Sequence, residues 1–340
     1  MPKASIRYPK VQSTNFFRVF RSPQAVQSSS GEVVLRVEGL RKSYGDTEAV
    51  AGLSFDVRAG EVFGLLGPNG AGKTTTLSIL ATEKRASGGR VSVLGRDLIG
   101  ESATVRKSIG VAPQEIALYP MLTAIENLQF FGRMYGVSGA RLRSRIEELL
   151  QLIGLEAHAN HFVGTFSGGM KRRLNLAVAL VHAPKLILLD EPTAGVDVHS
   201  RERIFEILRS LRDAGNAVVF TTHYMEEAEG LCDRIGIMNQ GKFIAMGRLD
   251  ELLADIDCTD VIELQGVGGD VDLGPIRGVR GLCRIESGNG VIRLFVRNTV
   301  SFLAPLQKLV SRSERPISLR IAPIGLAHLF LHLTGRELRD

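Results

Sequence analysis

Residues 62–75 read Val-Phe-Gly-Leu-Leu-Gly-Pro-Asn-Gly-Ala-Gly-Lys-Thr-Thr. A short apolar run leads into the pattern G-x-x-x-x-G-K-[ST], and Lys73–Ala81 then suits a helix. Strand, glycine loop and helix in that order make a phosphate cradle. Gly67, Gly70 and Gly72 let the backbone turn sharply and come close to an anion. In the loop Gly67, Pro68, Asn69, Gly70, Ala71 and Gly72 the successive backbone N–H groups, which Pro68 alone lacks, point inward, and the helix N-terminus adds positive potential. Lys73 reaches the β- and γ-phosphates of a nucleotide, the Thr74 hydroxyl suits Mg²⁺, and Thr75 closes the motif.

Working outward, Leu186-Ile187-Leu188-Leu189 is a second buried-strand pattern, and it ends in Asp190-Glu191. A carboxylate at a strand end beside such a loop is where Mg²⁺ is held, which suits Asp190. Glu191, one residue on, suits a general base for an attacking water. An apolar run ending in acids is common by itself; with the loop it becomes specific.

Together with further motifs these residues resemble the ATP-binding cassette (ABC) ATPase family over about residues 32–255. Phe166-Ser167-Gly168-Gly169-Met170 resembles the signature motif, with Phe and Met at the ends where Leu and Gln are usual. Pro113-Gln114-Glu115 resembles the Q-loop, Ala194-Gly195-Val196-Asp197 the D-loop, and Thr221-Thr222-His223 the switch-histidine strand end. Tyr44 resembles the aromatic that stacks on adenine. The resemblance implies ATP and Mg²⁺ as cofactors, with Thr74, Gln114 and Asp190 at the metal. It implies catalysis by Glu191, with Gln114 and His223 sensing the γ-phosphate. Ser167, Gly168 and Gly169 would bind the nucleotide held by Lys73 of a second copy, with Asp197 linking the two sites of a homodimer. Met170-Lys171-Arg172-Arg173-Leu174 resembles the bacterial exporters of drugs, nodulation signals and similar small molecules. A polytopic membrane permease is then the implied partner, at the cytoplasmic face of the inner membrane. The other readings are a soluble ABC ATPase acting on ribosomes or DNA, and an importer ATPase.

Composition limits the alternatives. No run of about 18 apolar residues is present, so another chain must supply any membrane span. Residues 1–30 carry +5 of the net charge of +6 and no acid, which leaves +1 for the rest. The near-neutral body gives no argument for a nucleic-acid partner. The basic segment 1–31 reads as a disordered extension, and its cluster Phe16–Arg21 as a possible contact with an anionic membrane surface. Three widely spaced cysteines, Cys232, Cys258 and Cys283, form no C-x-x-C pair and fit a reducing compartment.

The expected fold is α/β: a P-loop ATPase core with a mostly parallel sheet, an antiparallel β edge and a helical subdomain at about 115–183. A small C-terminal α+β domain follows at 256–340. Strands are expected at Val33–Val37, Leu53–Val57, Val91–Leu94, Ile109–Ala112 and Ala217–Thr222. Leu142, Ile146, Leu149, Leu150 and Ile153 follow a helical period, and Thr123 with Glu126 forms a capping box before another helix. In the C-terminal part, strands are expected at Val261–Leu264, Leu282–Ile285, Val291–Val296 and Ile317–Ile321, with helices at Ser301–Leu309 and Ala327–Leu333. That ending resembles the C-terminal domain of many exporters of the same branch, except that Ala327-His328 stands where acids are usual. Tyr119-Pro120-Met121-Leu122 with Phe130-Phe131 reads either as subdomain core or as a docking groove for a membrane partner. His158/His161 and His328/His332 have spacings seen in metal sites but read as surface pairs.

Overall fold

The computed structural model describes residues 31–254, 256–266, 273–288, 290–312 and 316–334. The basic extension and its Phe16–Arg21 cluster lie outside the described residues.

In chain order the chain begins β1 (Val33–Tyr44), β2 (Thr47–Arg58), β3 (Val62–Leu66), α1 (Lys73–Leu80), β4 (Gly88–Val93), β5 (Arg96–Asp97), α2 (Ser102–Arg106) and β6 (Ile109–Ala112). Next come α3 (Ala124–Met134), α4 (Gly139–Ile153), α5 (Gly168–Leu180), β7 (Leu186–Asp190), α6 (Val198–Asp213), β8 (Ala217–Thr222), α7 (Met225–Leu231), β9 (Arg234–Asn239) and β10 (Lys242–Gly247). The rest is α8 (Leu249–Ala254), β11 (Asp260–Gln265), α9 (Gly274–Arg277), β12 (Leu282–Gly288), β13 (Val291–Val296), α10 (Val300–Arg312), β14 (Ser318–Pro323) and α11 (Leu326–Thr334).

The strands form three sheets: β2-β1-β4-β5, β10-β9-β3-β8-β7-β6 and β12-β13-β11-β14. Strands β3, β7 and β8 are buried along their whole length. That is the condition of strands covered on both faces, and it explains why they read as continuous apolar runs. Registers Ile109↔Leu186 and Leu186↔Ala217 run parallel. The first sheet is antiparallel, with Leu35↔Val57 and Leu35↔Val93 pairs. Its strands β1 and β2 are longer than the alternation of apolar residues indicates, because a tight turn at 45–46 lets the hairpin continue to Tyr44↔Thr47.

Contacts divide the described residues into two compact units, one within 1–63, 72–221 and 240–242, the other within 64–71, 222–239 and 243–340. In the first, α3 has the expected capping box, with Thr123 and Glu126 each accepting from the other's backbone N–H. Helix α4 buries Leu142, Ile146, Leu149, Leu150 and Ile153, the stripe its periodicity marks. In the second unit, alternate residues of β11 and β13 (Ile262, Leu264, Ile292, Leu294, Val296) pack on Ile276 of α9 and on Phe302, Leu306 and Leu309 of α10. A separate cluster joins Leu66, Ala228, Ile235, Ile237 and Leu252 to Leu326, Leu329 and Phe330 of α11.

Candidate functional site

The loop after β3 is built from three glycines with different tasks. Gly70 (φ 80°) and Gly72 (φ 101°) hold left-handed backbone that a side chain would strain. Gly67 is needed for space instead: a Cβ there would sit 2.4 Å from the Met238 carbonyl oxygen. The expectation that all three glycines serve the turn is corrected at Gly67. The loop closes on itself through Ala71 N–H to Pro68 O (3.1 Å), and α1 starts at Gly72 with no side-chain cap and no acid in its first turn. Such a start leaves its N–H groups directed at whatever anion lies beyond them.

Lys73 and Thr74, the first residues of α1, meet the ends of β7 and β8. Thr74 Oγ1 donates to Asp190 Oδ1 at 3.3 Å, and Thr221 Oγ1 donates to the same oxygen at 2.6 Å. Thr221 Oγ1 also accepts the Glu191 N–H (2.9 Å). Gln114, just beyond β6, donates through Nε2 to Glu191 Oε2 (3.2 Å), and Lys73 Nζ lies 3.9 Å from Glu191 Oε1. Lys73, Asp190 and Glu191 are all buried. Burial lowers the Lys73 ammonium's pKa, with Glu191 and then Asp190 opposing the shift. Glu191 adopts φ 44°, a strained value for a residue with a side chain. Two carboxylates against one lysine leave net negative charge, and the Thr74 and Asp190 oxygens converge. That hard-oxygen donor set suits Mg²⁺.

Ser167 caps α5, its Oγ accepting the Met170 N–H (3.3 Å). Gly169 admits Ser200 against its backbone, since a Cβ there would overlap the Ser200 hydroxyl. Asp197 is likewise a helix cap, accepting from Ser200 N (2.9 Å) and Ser200 Oγ (3.0 Å) at the start of α6. These bonds hold its carboxyl below the usual carboxylate range, the Ser200 backbone N–H most of all.

Three residues, Arg172, Asn175 and Thr221, were not singled out from sequence for the roles they take here. Arg172 on α5 donates to the carbonyls of Gln114, Pro113 (3.4 Å) and Ala194 (3.2 Å), so one guanidinium fixes both the Gln114 segment and the segment before Asp197. Asn175 adds bonds to Pro113 O and from Ala117 N–H. The signal for Thr221 was present: it is the hydroxyl at the end of β8, in register with Asp190. Arg172 carried no local signal, because its partners are backbone atoms distant in sequence.

Tyr44 is 45% exposed, with Lys42 and Lys84 ammonium groups 5.0 and 5.7 Å from its ring centre. His223 follows Thr222, whose hydroxyl donates to Glu227 (2.6 Å), and its ring lies 4.1 Å from that of Tyr224. His158 and His161 form an edge-on ring pair, and no group of three or more His, Cys, Asp or Glu suited to a metal occurs among the described residues. His328 accepts the Gly325 N–H at the start of α11, and the His332 side chain lies outside the described residues. The rings of Tyr119, Phe130 and Phe131 pack together, while Met121 stands 81% exposed beside them.

A glycine-loop lysine and hydroxyl set against a strand-end Asp-Glu pair define a P-loop nucleotide hydrolase. The ABC transporter family pattern matches residues 50–194. The linearmycin resistance ATP-binding protein LnrL of Bacillus subtilis is 40% identical over 314 residues, covering 90% of this chain and all of that protein. The Nod factor export ATP-binding protein I of Ralstonia nicotianae is 42% identical, covering 90% of this chain and 95% of that one. Among solved structures, a dimeric ATP-binding cassette in a post-hydrolysis state bound to ADP and Pi is 29% identical with a TM-score of 0.58, over 63% of this chain and 98% of that one. The chain belongs to the ABC transporter family, as an ATP-binding, ATP-hydrolysing subunit. No helix among the described residues is long and apolar enough to cross a membrane.

Proposed function

We propose that the chain powers a membrane exporter of small molecules, pairing as a homodimer with a separate polytopic permease at the cytoplasmic face of the membrane. The observation that carries the ATPase part is the set Lys73, Thr74, Gln114, Asp190 and Glu191, in which the buried Lys73, Asp190 and Glu191 meet the exposed Thr74 and Gln114 at separations of no more than 3.9 Å. Lys73 neutralises the β- and γ-phosphates. Thr74, Asp190 and Gln114 hold Mg²⁺, which supplies charge neutralisation on the phosphate oxygens when bound. Glu191 takes the proton of the attacking water, and Gln114, which donates to that carboxylate, orients it. His223 contacts the γ-phosphate from the end of β8. Tyr44 stacks on the adenine through its exposed ring.

One chain carries one loop and one signature. Ser167, Gly168 and Gly169 at the start of α5 therefore complete the site of a second copy. ATP closes that dimer and hydrolysis opens it; the difference in affinity between the two nucleotide states does the work. Arg172 gives that change a route, since it grips the backbone of both Gln114 and Ala194. The exporter assignment is supported by the likeness to LnrL and to the Nod factor export protein.

The permease docks on the patch around Tyr119, Met121 and Phe130, which begins five residues after Gln114. Exposed apolar side chains of this size cluster where a partner covers them. The test is Met121→Asp with Leu122→Asp, co-purified with the polytopic partner from solubilised membranes. The variant is expected to keep its Tm and ATP affinity and lose the partner. Normal pairing would move the docking surface elsewhere, and a folding failure would make the patch subdomain core.

A further inference from the structure

Cys258 and Cys283 stand 25 positions apart in the chain, yet the fold brings them together. In the pairing of β12 with β13, Leu282 opposes Val296 and Arg284 opposes Phe295, so Cys283 is the extra residue of a bulge. Its Sγ donates to the carbonyl of Asp257 at 3.0 Å, and Asp257 is the residue bonded to Cys258. The Cys283 Sγ also lies 3.8 Å from the Gly281 carbonyl oxygen. Both cysteines line one cavity of about 220 Å³, with Arg284, Glu286 and Phe295 among its walls. Arg297 completes the cluster. Its Nε donates to Asp257 O (3.1 Å) and its guanidinium pairs with the Asp257 carboxylate.

The two thiols are unequal. Cys283 is exposed, so a small oxidant in solution can reach its sulfur. Cys258 is half-buried, and burial first, with the neighbouring Cys283 second, pushes its thiol up to about 12, so it stays protonated at neutral pH. The third cysteine, Cys232, packs against the Ile235 cluster, where burial raises its pKa further and leaves it inert.

We propose that Cys258 and Cys283 are a redox-responsive dithiol, in which Cys283 reacts with a hydroperoxide and Cys258 closes an intramolecular disulfide. The Cys283 thiolate takes the terminal oxygen of the hydroperoxide, breaking its O–O bond, and becomes a sulfenic acid while the peroxide is reduced to water or an alcohol. Cys258 sulfur then attacks that sulfur and displaces hydroxide, which leaves as water with the Cys258 proton. Two thiols and one hydroperoxide give one disulfide, one water and one water or alcohol. The Cys283 sulfur lies 3.0 Å from the carbonyl oxygen of the residue preceding Cys258, and the two side chains open into one cavity, so closing the bond calls for only local movement.

The test uses the full chain treated with limiting hydrogen peroxide, then unfolded, alkylated and mapped by mass spectrometry. Alkylatable thiols should fall from three to one, Cys232, with a peptide cross-link between Cys258 and Cys283 that dithiothreitol reverses. Cys258→Ser should stop at the sulfenic acid and take up a 1,3-diketone probe at Cys283. Cys283→Ser should leave both remaining thiols alkylatable at the same peroxide dose. Conversion of wild-type Cys283 to sulfinic acid with Cys258 still free would overturn the proposal. So would disulfide-linked dimers in place of the internal bond. Oxidation of Cys258 in Cys283→Ser at the wild-type rate would overturn the division of roles.

Discussion

Lys73 beside Glu191 and Arg293 beside Glu263 are both cation–carboxylate pairs, one where α1 meets β7 and one across β11 and β13 of the C-terminal sheet. Distance ranks them one way: 3.9 Å for the first and 2.9 Å for the second. Burial ranks them the other way, with side chains 5% and 11% exposed in the first and 34% and 20% in the second. The closer pair is the one water screens, and such pairs contribute little. The looser pair sits where charge is costly to bury, so removing either member leaves the other exposed to that cost. A long contact between buried charges, with a strained Glu191 backbone, is the arrangement of groups held ready for a third party. A short contact on a half-exposed sheet is ordinary surface pairing.

The comparison breaks most sharply at Glu191. Glu191→Gln keeps the side chain's shape and its bond from Gln114 but cannot take a proton. Steady-state hydrolysis is expected to fall roughly 10²-fold or more, the usual scale for losing a general base. ATP binding should persist, and gel filtration with ATP should trap a dimer. Near-normal turnover would remove Glu191 from the chemistry. Lys73→Ala comes next. A lost hydrogen bond to a charged group is worth about 1.5–3 kcal/mol, so calorimetry should find ATP affinity lower by roughly 10- to 100-fold. Unchanged affinity would mean that the loop is not the nucleotide site.

Thr221→Val sharpens the contrast on stability. It strips a buried carboxylate and a backbone N–H of one shared hydroxyl, at about 1–3 kcal/mol, read as a fall in denaturant midpoint at constant m-value. Smaller is the acid response of the caps. Asp197 and Glu126 are held below the usual carboxylate range, chiefly by the backbone N–H groups of Ser200 and Thr123. A depressed folded pKa contributes stability that is present above the unfolded value and lost as pH falls through the folded one. Tm should therefore decline below about pH 4, and less so in Asp197→Asn. Smallest is Glu263→Gln, where about 0–1 kcal/mol is expected. A larger loss there would erase the distinction between the two pairs.

The sequence made much of this legible. β6, β8 and β13 fall where their apolar runs end, and Thr123 with Glu126 starts α3 as its spacing says. Strands β9 and β10 and helix α7 were not foreseen. Arg234–Asn239 alternates only weakly, and Lys242–Gly247 is largely half-exposed, so neither leaves a strong periodic trace. The site's contiguous motifs were readable; its supports were not. Arg172 serves backbone carbonyls of residues 113, 114 and 194, and Gly67 yields space to Met238, which a motif read along the chain cannot reveal.

What the sequence by itself determined is whatever a few neighbouring residues impose on their own backbone: the glycine loop, the helix it opens, the Asp190-Glu191 strand end and the caps. Each depends on φ angles, spacing and local hydrogen bonds, all written within about ten residues. The tertiary structure alone decided which of these ends meet, and it turned two unremarkable cysteines into neighbours. Cys258 reaches Cys283 because β11 and β12 flank β13, and because a one-residue bulge turns Cys283 toward Asp257. Register of that kind is set by burying Ile262, Leu294 and Val296 on one face of the sheet. It is a property of the whole face, with no signature near either thiol.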